Sequence, residues 1–316
     1  MLRYPSDLLV LKHAQRSYGV DEVAGNLADI DPAILPAVGG GLLIQNPPRL
    51  AARNLLFIGV EPVETFDYRT IRDFSRRALT GAAHLSFPVR SISMTLHGVG
   101  FGLDEIEAFE SEVAGVVEAL DAGHCPEGLL SVDFVEQNEN RARRMQSILL
   151  SLINSEASGT DAARYVPNEA TALPRRLDSV GYDSAARPHA FVAMPFADRF
   201  TDVFHYGIVR PVRAAGLLCE RMDQIHFTGD VINRMKERIA ASKLVIADLS
   251  DANPNVYLEV GYAWGLRVPC VLVCSRETDL KFDVRGQRCL FYGSIRDLEK
   301  QLSAELKNLA GQLWAF

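Results

Sequence analysis

The chain has 316 residues, which exceeds the usual size of a single domain, so we expect two domains. Hydrophobic residues make up 48% and charged residues 23% of it, a globular composition that excludes wholesale disorder. The formal net charge of −7 argues against a dedicated nucleic-acid-binding surface, because phosphate contacts need clustered Lys and Arg.

Several features of the sequence predict a cytoplasmic protein without a membrane anchor. The opening stretch, MLRYPSDLLVLKHAQ, lacks the long apolar core of a signal peptide. No apolar run approaches the ~18 residues that a bilayer-spanning helix needs. The five cysteines are scattered without paired CxxC spacing, which predicts reduced thiols and neither a disulfide framework nor a zinc site. We therefore expect no metal and no cofactor.

The first half of the chain alternates between the periodicities of strands and helices. An apolar start at 8–11 and an amphipathic piece at 20–30 precede a glycine-rich turn at 39–41. The pattern then predicts strands at 55–60, 91–96 and 129–135, which alternate with helices at 68–79, 104–122 and 139–153. We therefore expect residues 1–154 to form an α/β domain whose mainly parallel sheet is flanked by helices.

A glycine-rich loop, HGVGFGLDE, follows the predicted strand at 91–96 and leads into the next helix. Beside His97, the glycines Gly98, Gly100 and Gly102 would let backbone N–H groups approach a phosphate at the helix start. A turn that only lets a strand meet a helix explains the glycines equally well. Residues 50–150 loosely resemble macro-domain-like and aminopeptidase-N-terminal-like folds. That resemblance implies a loop that holds ADP-ribose or a related nucleotide, and hence a nucleotide-sensing or regulatory domain.

A change of character separates the two halves. Residues 155–188 are polar, rich in Ser, Gly, Pro and Arg and weakly periodic, which predicts a linker. Beyond it, the pattern predicts strands at 190–193, 217–219, 244–247, 268–274 and 289–292, with helices between them and at the end. Five strands alternating with helices predict a parallel sheet with right-handed crossovers in a second domain, residues 189–316.

The most informative stretch of this second domain is LVIADLSDANPNVYLEVGYAWGL, residues 244–266. A short apolar strand ends at the carboxylate of Asp248. Asn253 then suits the N-cap of a helix, and a proline follows at the first helical position. Glu259 falls in the second turn, with Asn255 and Tyr262 four and three residues away on the same face. Each residue alone has an ordinary structural explanation, but their joint arrangement at a strand-to-helix corner favours a ligand site.

The carboxyl ends of parallel strands meet at one edge of the sheet, where ligands bind in open α/β folds. Carboxylates at such an edge suit cleavage at an anomeric carbon, because the transition state resembles an oxocarbenium ion that a carboxylate stabilises or attacks. A second carboxylate or an amide would hold the ribose hydroxyls, and an aromatic ring would stack on the base. The candidate substrate-binding residues at this edge are Met194, Pro195, Phe196, Arg221, Asp223, Asp248, Asn253, Asn255 and Tyr262.

Four motifs, FVAMPF, RMD, IADLSDANPNVYLEVGYAWGL and FD-x-R, resemble the nucleoside 2-deoxyribosyltransferase-like superfamily, a relative of Toll/interleukin-1-receptor (TIR) domains. The resemblance covers about residues 189–300 and implies a flavodoxin-like or TIR-like sheet. It also implies that Glu259 attacks the anomeric carbon or stabilises the charge there. Asp248 and Asn255 would line the sugar pocket, with residues 194–196 along the base. The match is least secure at Asp223, because the RMD motif is short.

The resemblance implies a small-molecule nucleotide substrate but leaves several functions open. The first is an N-glycosidase that hydrolyses NAD or another nucleotide, as a regulated effector of bacterial antiviral defence with a nucleotide signal at the N-terminal domain. The second is a nucleoside 2-deoxyribosyltransferase, and the third is a signalling module that binds nucleotides without turning them over. We also expect a homo-oligomer.

Overall fold

The structure is a computed structural model. It describes residues 2–17, 19–161, 177–222, 229–275, 280–281, 284 and 286–313. The chain divides into two compact units. The first consists of Met1–Gly98 and Glu105–Ala185, and the second of Val99–Asp104 and Ala186–Phe316. Among the described residues, no helix combines the length and the apolar character that crossing a bilayer requires.

The first unit is built around a five-stranded sheet with the strand order β2-β3-β1-β4-β5. Only β2 runs antiparallel, against β3, and the other neighbouring strands pair in parallel. Its strands are β1 (Leu8–His13), β2 (Gly41–Gln45), β3 (Asn54–Gly59), β4 (Ser91–Met94) and β5 (Ser131–Phe134). Its helices are α1 (Gly19–Leu27), α2 (Tyr68–Ala83), α3 (Glu105–Asp121) and α4 (Glu139–Asp161), with short 3-10 turns at Pro32–Ile34 and Ser184–Ala186.

Helices α2 and α3 pack against each other unusually closely. Gly115 of α3 makes this possible, because a Cβ atom built there would lie 2.1 Å from the carbonyl oxygen of Arg72 on α2. The Arg72 side chain in turn donates hydrogen bonds to the carbonyl oxygens of Leu177 and Val180, both at 2.6 Å. The segment that follows α4 in the described chain is thereby fastened to α2.

The second unit contains a five-stranded sheet in which all neighbouring strands are parallel, in the order β10-β9-β8-β6-β7. Its strands are β6 (His189–Ala193), β7 (Leu218–Arg221), β8 (Leu244–Asp248), β9 (Cys270–Ser275) and β10 (Cys289–Tyr292). Its helices are a π-helical segment (Val203–Val209) that continues into α5 (Arg210–Ala214), followed by α6 (Gly229–Ala241), α7 (Pro254–Gly265) and α8 (Ile295–Leu313). A 3-10 turn at Asp198–Phe200 precedes the π-helical segment.

Successive residues of the central strands enter different cores. In β8, Leu244 and Ile246 pack with the π-helical segment, α5 and α8, whereas Val245 and Ala247 pack with α6 and α7. This alternation follows from the period of two along a strand, and burial on both faces explains why the strand reads as one apolar run. The expected fold class is confirmed: the chain holds two α/β units, each with a mainly parallel sheet flanked by helices.

Candidate active site

The second sheet has a topological switch point between β6 and β8. From β6 the chain passes to β7 on one side, and then crosses to β8 on the other side of β6. Numbered within the unit, the strand order is 2-1-3-4-5, the flavodoxin-like order of doubly wound sheets. Ligands in such sheets bind at the carboxyl ends of the strands beside the switch point. Residues after β6 and β8 therefore occupy the expected ligand-binding edge.

Glu259 lies in the second turn of α7, the helix that starts directly after β8. Its side chain is only 6% exposed, and no described residue forms a hydrogen bond or an ion pair with it. Burial raises the pKa of Glu259 to about 8, because removal from water disfavours the charged form. A buried carboxyl group with no polar partner costs folding free energy. Such a group at a ligand-binding edge is therefore a candidate for function.

The predicted face of α7 is only partly buried. Asn255 is exposed, Glu259 is buried and Tyr262 is half-buried, with the ammonium of Lys236 5.8 Å from the centre of its ring. On the adjacent face, Val256, Val260 and Ala263 are buried against the sheet, as the sequence predicts. The carboxyl group of Glu259 thus stands at the border between the core and the accessible surface.

Asn253 caps α7 as predicted. Its side-chain oxygen accepts a hydrogen bond of 2.9 Å from the backbone N–H of Asn255, and Pro254 occupies the first helical position. The two residues before the cap, Asp251 and Ala252, have φ angles of +72° and +49°. Such left-handed conformations are uncommon in residues other than glycine. The loop between β8 and α7 is thus held in a conformation that its residues do not favour.

Asp248 is fully buried at the end of β8, and both of its carboxylate oxygens have partners inside the protein. Oδ1 accepts the backbone N–H of Ser250 at 2.9 Å, and Oδ2 accepts the hydroxyl of Tyr292 at 2.9 Å. Burial raises the pKa of Asp248, and these hydrogen bonds oppose the rise. The Ser250 hydroxyl also accepts the backbone N–H of Ser275, at 2.8 Å. Asp248 therefore joins the ends of β8, β9 and β10, and its predicted contact with a sugar stays a prediction.

The loop after β6 brings an apolar wall and a cation together. Met194 and Pro195 are buried, whereas Phe196 is 38% exposed. The guanidinium of Arg221, at the end of β7, lies 4.0 Å from the ring centre of Phe204 and 5.9 Å from that of Phe196. One of its N–H groups also points at the sulfur of Met194, at 3.5 Å. The cation of Arg221 thus lies against aromatic and thioether groups at the carboxyl end of the sheet.

Phe204 is a residue of this edge that the sequence reasoning missed. It lies in the π-helical segment, a type of helix often found at functional sites. Tyr292 and Ser250, the partners of Asp248, were missed as well, because Tyr292 lies 44 residues beyond Asp248 in the sequence and Ser250 reads as an ordinary turn residue. The predicted residue Asp223 lies outside the described residues.

The glycine loop of residues 97–104 does lead into a helix, α3. Gly98, Gly100 and Gly102 have φ angles of +79°, +88° and +94°, a region that favours glycine. Gly102 lies in the second unit, where a Cβ atom would approach Met222 Cγ to 3.4 Å. His97 is 2% exposed, and its Nδ1 lies 2.9 Å from a carboxyl oxygen of Glu112. Burial lowers the pKa of His97 and raises that of Glu112, because removal from water disfavours the charged form of each group. A nucleotide at this loop stays a prediction.

No known protein family matches the chain, and no curated protein does. Among solved structures, it is similar to the CMP N-glycosidase BcmB of Clostridium botulinum, at 13% identity and a TM-score of 0.31, over 36% of this chain and 98% of that chain. It is also similar to a Trypanosoma brucei macrodomain in complex with ADP-ribose, at 21% identity and a TM-score of 0.37, over 46% of this chain and 63% of the macrodomain. A third neighbour, the bottromycin maturation enzyme BotP, is 11% identical with a TM-score of 0.32, over 95% of this chain and 89% of that chain. At TM-scores this low, none of these likenesses assigns a function to the chain.

Proposed function

We propose that the second unit is an N-glycosidase that hydrolyses the bond between the base and the sugar of a nucleotide, with Glu259 as its catalytic carboxylate. The observation that carries the proposal is the burial of Glu259, without a polar partner among the described residues, beside the switch point of the sheet. A structural role would pair such a group, since an unpaired buried carboxyl destabilises the fold.

In the proposed reaction, the bond between C1′ and the base nitrogen breaks, and the base leaves with the electron pair. The ionised carboxylate of Glu259 stabilises the positive charge that develops at C1′, or forms a bond to that carbon which water then hydrolyses. Water supplies the hydroxyl group at C1′, and the proton that the water loses goes to the leaving base or, when the base leaves as a neutral molecule, to solvent. The products are the free base and the remaining phosphorylated sugar, which for NAD is ADP-ribose. Low local polarity around Glu259 strengthens its interaction with that developing charge.

NAD is the substrate that the electrostatics of Glu259 favour. The pKa of Glu259, about 8, means that the empty site holds the carboxyl mostly protonated near neutral pH. A positive charge bound nearby favours the ionised form and so lowers this pKa. The nicotinamide ring of NAD carries that charge at the bond to be broken. We therefore place NAD ahead of nucleotides with a neutral base.

A second feature favours a phosphorylated substrate over a nucleoside. Arg221 lies at the carboxyl end of β7, two strand spacings (about 10 Å) from β8, and so at the same edge of the sheet as the helix that carries Glu259. The guanidinium of Arg221 is oriented by Phe204 and Phe196 and has the fork geometry that binds phosphate in pairs of hydrogen bonds.

The biological setting of the proposal follows from the resemblance of the second unit to transferase-like and TIR-like effectors. We propose a regulated effector of bacterial antiviral defence that acts as a homo-oligomer in the cytoplasm. In this scheme the first unit receives the activating nucleotide signal, and the second destroys NAD or free nucleotides.

The deciding experiment incubates the purified full-length protein with NAD and a panel of nucleotides and nucleosides, and measures free base by chromatography. We expect base release by the wild-type chain, and a loss of at least about a hundredfold in Glu259→Gln, which removes the carboxylate but keeps its shape. Glu237→Gln, an exposed carboxylate of α6, is the matched control and should retain full activity. Release of base at an equal rate by Glu259→Gln would reject the proposal, and product only in the presence of an acceptor base would indicate a transferase.

A further inference from the structure

A cleft of about 670 Å³ lies in the first unit, between β5 and the first half of α4. β5 is an edge strand of its sheet, and β4 is the one described strand that pairs with it. Clefts of this size, roughly 300–1,000 Å³, are typical of small-molecule sites. All the residues that line the cleft belong to the first unit, and none takes part in the site around Glu259.

The floor of the cleft is apolar and well packed. Phe109 is 1% exposed and meets the ring of Phe134 edge to face, with 5.2 Å between the ring centres. Met145 of α4 is 4% exposed and extends the same surface, with Leu149 one turn further on. Such a surface suits the ring or the hydrocarbon part of a small molecule.

Three carboxylates lie on the walls of the cleft, and they differ in whether a cation pairs with them. Glu136 pairs with Arg141 at 3.4 Å, and Glu139 pairs with Arg143, so two of the three carboxylates have a cationic partner. Asp133 has none among the described residues; its carboxylate accepts the hydroxyl of Ser131 at 3.0 Å and also interacts with the phenol of Tyr4 through a hydrogen bond.

The phenol of Tyr4, which lines the cleft, is influenced by the charge of Asp133. The phenol lines the same space, and burial and then the charge of Asp133 raise the pKa of Tyr4. The cleft therefore combines an apolar aromatic floor with one carboxylate whose charge is not balanced by a described cation.

We propose that this cleft is a binding site for a small organic cation that carries an aromatic or aliphatic body. The body would lie on the floor formed by Phe134 and Met145, and the ammonium would pair with Asp133. The aromatic rings would add a favourable cation–π contribution. The negative charge of the walls disfavours nucleotides and other anions, so this site differs in ligand class from the proposed active site.

Tyramine is a suitable probe, because the same ring is available with a carboxylate in 4-hydroxyphenylacetate and without charge in 4-ethylphenol. Each compound is titrated into the full-length protein, and binding is measured by calorimetry and by saturation-transfer NMR. We expect tyramine to bind more tightly than 4-ethylphenol and 4-hydroxyphenylacetate not to bind. Absence of tyramine binding, or equal binding of the carboxylate, would overturn the proposal.

Three variants assign the binding to the cleft. Asp133→Asn keeps the shape of the side chain and should weaken tyramine binding by about tenfold, the effect of losing one charge-assisted hydrogen bond. Gln146→Trp changes an exposed residue on the rim of the cleft, so it should block entry without disturbing the fold. Glu22→Gln, which removes an exposed carboxylate of α1 that does not line the cleft, is the control and should bind tyramine like the wild type. Unchanged affinity in both Asp133→Asn and Gln146→Trp would place the ligand elsewhere and refute the site.

Discussion

The buried carboxyl group of Glu259, which we propose to be catalytic, lowers the stability of the folded protein. A glutamate in the unfolded chain titrates near its ordinary pKa, whereas the pKa of this buried group is about 8 in the folded protein. Between these two pKa values, the folded protein keeps the proton on Glu259, whereas the unfolded chain has already released it. Stability must fall as the pH rises through that range, because ionisation favours the unfolded chain.

Glu259→Gln should accordingly stabilise the protein, and more so at high pH. Near pH 5, just above the pKa of the unfolded-state group, the folded protein keeps the proton on Glu259, and the substitution should change the free energy of unfolding by only about 1 kcal/mol. Near pH 8 the gain should reach the order of a few kcal/mol, because the variant has no group to ionise. Thermal unfolding of wild type and variant from pH 5 to pH 9 measures this difference. A gain independent of pH would mean that the folded-state pKa of Glu259 is not raised.

The pH dependence of catalysis identifies the role of the same carboxyl group. If Glu259 acts as a carboxylate on the sugar carbon, kcat/KM should rise about tenfold per pH unit below the pKa of about 8 and level off above it. An acid that protonates the leaving base would give the opposite profile, falling above that pH. Initial rates of base release at low substrate concentration, from pH 5.5 to pH 9.5, separate the two roles. The slope below pH 8 decides between them.

At the scale of single elements, the turn between β8 and α7 has two backbone features of opposite effect. Asn253→Ala removes the N-cap hydrogen bond to Asn255 and should cost about 1 kcal/mol. Ala252→Gly relieves the φ of +49° and should stabilise the fold by about 0.5 kcal/mol, since glycine adopts this conformation freely but loses more entropy on folding. Chemical denaturation of both variants, followed by circular dichroism, measures the two signs. A change of stability in the same direction in both variants would show that the cap and the turn do not act separately.

The parallel strands and the start of α7 were predictable because each has a recognisable local sequence pattern. Residues 244–248 are covered on both faces and therefore read as an apolar run, and Asn253 followed by proline marks a helix start. β2 left no such mark. It pairs antiparallel at the edge of its sheet and is half-exposed, so its residues show neither a buried run nor a clear alternation. The π-helical segment at Val203–Val209 was also beyond prediction, because its apolar positions fit an ordinary helix.

At the scale of the whole molecule, the chain enters the second unit twice. Val99–Asp104 groups with that unit although about 80 residues of the first unit follow it in the sequence. The reason is Asp104, which is 1% exposed and accepts the backbone N–H of Cys219 at 2.9 Å. It also pairs with Arg213 at 2.7 Å. Both partners lie more than a hundred residues further along, so local periodicity could not reveal this connection.

Asp104→Ala should therefore loosen β7, a strand far from it in sequence. The substitution leaves the N–H of Cys219 without its carboxylate acceptor, and takes from Arg213 a buried counter-charge. Losses of this kind cost on the order of 2–4 kcal/mol, and they act first on the strand that carries the amide. Hydrogen exchange of peptides that cover Leu218–Arg221 should become faster by about a hundredfold, which corresponds to roughly 3 kcal/mol of local opening.

Peptides that cover β1 in the first unit serve as the internal control and should keep their exchange rates. Asp104→Asn retains an acceptor for the Cys219 N–H but loses the charge, so its effect on β7 should be smaller. If β7 exchanged at the wild-type rate in Asp104→Ala, Val99–Asp104 would not be an energetic part of the second unit.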